Sequence, residues 1–231
     1  MIACVPKYIL ILYFFLIKSL GGVTSLFLDE NAQVWSTGYN AYGQLGLCDN
    51  TNREFVTKIE NLPNIISVTT TDNHSLFLDE NSQVWVAGRN DYGQLGLGDR
   101  TNRLVPAKIE NLPNIISITV GLYCSLFIDE NGQVWSAGHN SDGQLGLGDN
   151  IHKSFVTKIE NLTNIVSVIS ERNHSFFLDV NGQVWGTGSN SYGQLGLGDR
   201  INRLVPSKIE NLPKICIKRK IPTKNARKIV E

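Results

Sequence analysis

Apolar and polar positions alternate along this chain in short runs, never at a helical spacing sustained over a convincing length. Ser125 to Asp129 reads Ser-Leu-Phe-Ile-Asp and Gln133 to Trp135 reads Gln-Val-Trp, with Glu130, Asn131 and Gly132 between them. Two β-rich runs joined through Asn-Gly predict a hairpin, and the pair supplies the positive φ angles of a type I′ turn. The same turn is predicted at Asn181-Gly182 and, in weaker form, at Asn31-Ala32 and Asn81-Ser82. A loop rich in glycine follows each tryptophan, as from Gly88 to Asp99. Beyond it lie a β run such as Leu104–Ile109, a turn at Glu110–Pro113 and a further β run, Ile115–Val120. One unit therefore contributes four strands.

The unit recurs. The phrase Gly-Gln-Leu-Gly-Leu-x-Asp begins at Gly43, Gly93, Gly143 and Gly193, an interval of fifty residues without slippage. Trp35, Trp85, Trp135 and Trp185 keep the same interval, each followed three residues later by a glycine. A period of this size marks a solenoid, propeller or array, in which a unit must stack on its neighbours to bury its apolar face. Four short strands in about fifty residues make a propeller blade, so the expected fold is an all-β, β-propeller-type array of four-stranded antiparallel blades. A longer period runs through the first. Phe55-Val56-Thr57 matches Phe155-Val156-Thr157, whereas Leu104-Val105-Pro106 matches Leu204-Val205-Pro206. The array reads as copied two-blade pairs, which favours a scaffold over a single tuned active site.

His74-Ser75, Val84-Trp85, the glycines Gly88, Gly93 and Gly96 with Asn90, Gln94 and Leu95 between them, and Val105-Pro106 together resemble the repeat of the regulator of chromosome condensation family. The resemblance covers roughly residues 21 to 213. It implies a propeller that is typically seven-bladed, and four repeats are too few to close such a ring. The histidine slot holds Thr24 and Cys124 in two copies, and the glycine three residues before it is replaced by Thr71 and Glu171 in two. The chain thus reads as a truncated or shortened member with a ring left open or completed by another chain.

Composition changes this picture only at the ends. With 42% hydrophobic residues and a formal net charge of zero, the chain belongs among ordinary globular sequences. Residues 214–231, however, carry seven cations against Glu231, a basic tail at +6 beside a body at −6. A mildly acidic body does not carry the clustered cations of a nucleic-acid footprint. Residues 1–21 form an apolar segment in which Lys7 precedes an unbroken apolar run, Tyr8 to Ile17. This fits a secretory h-region, and it equally fits a worn copy of the strand that precedes each later repeat. Residues 22–213 hold the repeats. Cys4, Cys48, Cys124 and Cys216 show no CxxC and no repeated placement, so neither zinc nor a disulfide framework is indicated and a cytoplasmic or nuclear setting is favoured unless residues 1–21 act as a signal.

Trp35, Trp85, Trp135 and Trp185, with Gly43, Gly93, Gly143 and Gly193, read as the structural core of the repeat, since a large aromatic fixed in every blade is best explained by packing between blades. The Gly-Gln-Leu-Gly run lacks the Lys-Ser/Thr of a phosphate loop, and Asp49-Asn50-Thr51-Asn52 lacks the rest of a calcium loop. His74, Cys124 and His174 stand on successive blades, too dispersed to share one ion. No catalytic triad, cofactor or metal site is expected. The positions that vary among otherwise equal copies are Tyr39, Arg89, His139 and Ser189, and then, two to three residues on, Tyr42, Asp91, Tyr92, Asp142 and Tyr192. Such freedom marks exposed loops; Tyr39, Tyr42, Arg89, Asp91, Tyr92, His139, Asp142 and Tyr192 are the candidate interaction residues, and an unselected surface would show the same freedom.

The expected function is a non-enzymatic protein-interaction module with no small-molecule substrate, its partner a protein, with self-association to complete the propeller as a further possibility. The family resemblance implies an alternative, guanine nucleotide exchange on a small Ras-like GTPase. No insertion long enough to form an extra wedge interrupts the repeats. Chromatin attachment would rest on the basic tail alone.

Overall fold

A computed structural model of the chain describes residues 15–20, through their backbone, together with 22–213 and 215. The h-region reading of the residues before Phe15 and the basic tail beyond Ile215 lie outside the described residues.

Every repeat becomes a meander of four antiparallel strands. The first sheet holds β1 (Phe15–Leu20), β2 (Thr24–Asp29), β3 (Val34–Gly38) and β4 (Arg53–Lys58), and the second β5 (Ile65–Thr70), β6 (His74–Asp79), β7 (Val84–Gly88) and β8 (Arg103–Lys108). The third runs through β9 (Ile115–Val120), β10 (Cys124–Asp129), β11 (Val134–Gly138) and β12 (Lys153–Lys158), the fourth through β13 (Ile165–Glu171), β14 (His174–Asp179), β15 (Val184–Gly188) and β16 (Arg203–Lys208). Sequence neighbours pair throughout, and no helix occurs among the described residues. This is the all-β blade array that the alternation predicts. Phe15–Leu20, left open by the sequence between two readings, forms the first strand and pairs with β2. The strands β1, β5, β9 and β13 lie beside one another along the axis, so each blade runs outward from its first strand to its fourth.

The hairpin register sets the two faces of a blade. Phe77 stands opposite Trp85 on one face, while Leu76 opposes Val86 and Leu78 opposes Val84 on the other. Phe77 and Trp85, with Ile65 and Val68 of their own blade, pack against Leu26, Val34 and Ile59 of the preceding blade. The Leu76 face receives Phe127 and Trp135 from the following blade, and the Leu126 face receives Phe177 and Trp185. Phe77, Phe127 and Phe177 are fully buried in this way. There is one apolar core per junction, and each is made by two blades.

The hairpin turn differs from the type I′ turn expected at Asn-Gly. The N–H of Ala32 bonds to the carbonyl of Asp29 at 3.2 Å, and Asp29 itself bonds to Gln33 at 3.0 Å, closing a three-residue loop. Positive φ falls only on the third loop residue, Ala32, Ser82, Gly132 and Gly182, and on none of the preceding asparagines. This is a type I turn followed by a left-handed residue. Its cause is the aspartate that opens the loop: one oxygen of Asp129 accepts the N–H groups of Asn131 at 2.9 Å and Gln133 at 3.0 Å, and the other accepts the Trp135 indole at 3.0 Å. A short acceptor at that place organises three residues where the dipeptide alone suggested two.

Candidate functional site

The loop after each tryptophan strand is built on its asparagine. Asn90 donates from Nδ2 to the carbonyl of Asp99 at 3.0 Å and accepts the N–H of Leu95 at 2.9 Å, while its own N–H reaches Asn102 at 2.8 Å. Asn40, Asn140 and Asn190 repeat this frame, and all four are buried. Asp99 also takes the Arg103 guanidinium at 2.5 Å, which together with the Thr101 N–H holds its carboxyl below the usual carboxylate range. The variable residues are thereby mounted on a rigid loop at one rim of the array.

Across the first three blades the variable positions meet. The Arg89 guanidinium lies over the Tyr42 ring at 4.8 Å and the Tyr123 ring at 5.4 Å, and its Nε donates to Asp91 at 2.6 Å. Tyr39 meets Tyr42 edge-on at 6.2 Å. Tyr92 continues the row, with ring centroids at 5.4 Å from Tyr123, 4.8 Å from His139 and 5.1 Å from His152. His139 and His152 stack at 4.7 Å. The result is an unbroken strip of rings around one buttressed arginine, drawn from three blades. Aromatic and arginine side chains that present large, rigid area at small entropic cost are the types that dominate protein interfaces.

The two imidazoles are held neutral. Nδ1 of His139 accepts from the Gln144 amide at 2.6 Å and Nδ1 of His152 accepts the Asn140 N–H at 3.0 Å, so each ring carries its proton on Nε2. Burial, then the neighbouring His152, lowers the pKa of His139, against the pull of Asp142; burial and Arg100 lower that of His152. The strip therefore keeps one cation, Arg89, at neutral pH.

Six of the eight candidate residues join this face: Tyr39, Tyr42, Arg89, Asp91, Tyr92 and His139. Asp142 is drawn aside, accepting the Asn202 amide at 3.0 Å, and Tyr192 stands apart on the fourth blade, 91% exposed. Tyr123 and His152 were missed by the sequence reading. His152 stands where the other copies have Asn52, Asn102 and Asn202, so the variation that marked Tyr39 and His139 marks it too. Tyr123 sits in the turn before β10, and only the register Cys124 to Gly138 reveals that this turn shares the rim with the loop after β11.

No group of three or more His, Cys, Asp or Glu side chains suited to a metal ion occurs among the described residues. The one contact of a hydroxyl with an imidazole between blade faces among the described residues, Ser125 with His74 at 3.0 Å, is fully buried in a junction, and the hydroxyl donates to the Gln94 carbonyl. What the rim offers is surface: rings, one guanidinium and hydrogen-bonding edges.

Solved structures share the architecture. The structure of human WBSCR16 superposes with a TM-score of 0.76 at 23% identity, over 85% of this chain and 53% of that one. Yeast RCC1 (Prp20) bound to Kap60 superposes with a TM-score of 0.77 at 22% identity, over 91% and 50%. Prp20p from Saccharomyces cerevisiae, whose description names its binding to Gsp1p and histones, gives a TM-score of 0.77 at 23% identity, over 86% and 51%. The chain spans about half the length of these proteins. No curated protein sequence matches it significantly. The Regulator of chromosome condensation (RCC1) repeat, by contrast, matches at residues 31–78, 81–128, 131–178 and 181–221, which is most of the chain. By its four tandem repeats and their blade fold, the chain belongs to the RCC1 repeat family.

Proposed function

We propose that this protein is a non-enzymatic interaction module that docks a protein partner on the rim strip running from Tyr39 through Arg89 and Tyr92 to His152. The observation that carries this reading is the strip itself. Variable residues from three blades, fifty residues apart in the chain, converge on contacting rings around Arg89. Rings already packed on each other lose little freedom when a partner arrives, which is the condition for an affinity hot spot. Prp20 is described with Kap60, Gsp1p and histones, so propellers of this architecture serve as protein-binding platforms in yeast, and that agrees with the reading.

The test is affinity mass spectrometry with the intact chain against an Arg89→Ala/Tyr92→Ala variant of matched melting temperature. A defined set of proteins lost from the variant alone is the expected result; an unchanged set overturns the docking face. The second arm mixes the purified protein at substoichiometric amounts with small GTPases loaded with labelled nucleotide. No acceleration of nucleotide release is expected, and catalytic release would replace the module reading by exchange activity.

A further inference from the structure

Each of the three junctions between blades repeats the same contacts. A serine hydroxyl donates to the backbone carbonyl of the glutamine in the preceding loop: Ser75 to Gln44 at 2.6 Å, Ser125 to Gln94 at 2.7 Å, Ser175 to Gln144 at 2.8 Å. A phenylalanine and a tryptophan fill the preceding blade's apolar face. The preceding loop then hooks the outermost strand, with Cys48 N–H bonding to Leu104 at 3.0 Å, Gly98 to Ser154 at 2.8 Å and Gly148 to Leu204 at 2.8 Å. Side chains of that outer strand, Phe155 and Val156 at the second junction, close over the loop glycines.

The two ends of the array hold the halves of one more such junction. On the fourth blade, Ile169, Phe176, Leu178, Val184, Leu195 and Ile209 line an apolar concavity of about 410 Å³. Leu212 is 45% exposed where its counterpart Leu162 is 2% exposed. Gly198 has nothing within 4 Å of the place a Cβ would occupy, whereas Gly98 lies against Phe155. On the first blade, Phe27 and Trp35 face each other in register as Phe77 and Trp85 do, and nothing among the described residues plugs them into a preceding blade. Ser25, the carbonyl of Glu54, and Phe55-Val56 stand at the positions of the serine, the hooked carbonyl and the closing side chains. Phe55 is 81% exposed and Val56 48% exposed.

We infer that the open face of the fourth blade is a docking site for the first blade of a second copy of this chain, so that copies join head to tail through a junction like those inside each one. The interior junctions define what the face accepts: a Phe-Trp pair one strand apart, with a serine before it and a hydrophobic outer strand after it. Among the described residues only blade one still has that set uncommitted. The stretch from Cys216 to Glu231 contains no aromatic residue and no glycine, so its sequence lacks the Phe-Trp pair of such a plug. The contact is heterologous, using different surfaces on the two copies, and it continues in both directions to a ring or a filament according to the rotation per blade.

Sedimentation velocity on the full chain tests this with two variants at exposed positions. Ile169→Lys/Leu212→Lys blocks the fourth-blade face, and Phe55→Lys/Val56→Lys blocks the first-blade plug. The wild-type chain is expected to associate with rising concentration, and each variant alone to remain a monomer with an unchanged melting temperature. Mixed in equal amounts, the variants are expected to form a dimer that grows no further, because one retains the face and the other the plug. A wild-type monomer throughout overturns the inference, as does association that one variant does not abolish. Failure of the mixture to dimerise points to a symmetric contact and also overturns it. The rim variant Arg89→Ala/Tyr92→Ala leaves this association intact, which separates it from partner docking.

Discussion

At the scale of single residues, His74 shows how one slot acquires different physics in different copies. Thr24 and Cys124 fill the equivalent place with small side chains, while His74 is fully buried and meets Ser125 Oγ at 3.0 Å. Because the Ser125 hydroxyl already donates to Gln94, its oxygen accepts and the ring proton sits on Nε2. Burial pushes the His74 pKa down to about 4. An unfolded-state histidine titrates at about 6.5, so between the two values the unfolded chain binds a proton that the folded chain refuses. Stability from this group is complete above pH 6.5 and is lost as the pH falls towards 4. The shift corresponds to about 3 kcal/mol at one pKa unit per 1.4 kcal/mol. Urea unfolding of the native chain and a His74→Thr variant from pH 7.5 to 4 should therefore show the native chain losing stability relative to the variant on acidification. Parallel curves would show that His74 is charged or solvated in the fold. Comparing the two cancels the contributions of His139 and His152, which also sit below their ordinary value.

At the scale of elements, the same hairpin has different energetic weight according to what lies before it. Trp85 packs on the first blade's core, yet Trp35, with an equivalent indole bond to Asp29 at 3.0 Å, has no preceding blade among the described residues. Trp85→Ala should cost about 3 kcal/mol, the low end for truncating a large packed aromatic, and Trp35→Ala less than half as much. Equal losses would mean that the local aspartate bond, rather than the junction, holds the ring. This asymmetry explains what was legible in the sequence. The blade was readable because alternation, turn residues and the tryptophan all act within one fifty-residue unit, and the repeat supplied four readings of each. The turn type was misread because the Asp129 side chain, three residues before the glycine, sets it. The rim strip could be marked only as separate variable positions. Which of them touch depends on blade-to-blade geometry: Tyr92 reaches His139 and His152, whereas Tyr192, at the same place in its repeat, is 91% exposed and meets no ring among the described residues.

At the scale of the whole molecule, an array whose blades contact only their neighbours has a stability profile along the chain, each blade being held by its own hydrogen bonds and by its junctions. The second and third blades have a junction on both sides, and the strands β6 and β10 are buried at every residue. The fourth blade has one among the described residues, and in β14 only Ser175 and Phe177 are buried. Opening should therefore begin at the ends and move inward, since freeing a terminal blade breaks one apolar junction while freeing an inner blade breaks two. Hydrogen exchange measured on the Phe55→Lys/Val56→Lys variant, in which no second copy covers the ends, should show the slowest amides in β6 and β10 and faster ones in β14 and β2. Uniform protection across all four blades would show that the array opens as one cooperative body, with junctions stronger than the blades they join. Adding the Ile169→Lys/Leu212→Lys variant, which still carries the first-blade plug, should slow exchange in β14 and leave β6 unchanged. That selective gain follows from the geometry: the added copy supplies to the fourth blade the junction that the inner blades already have.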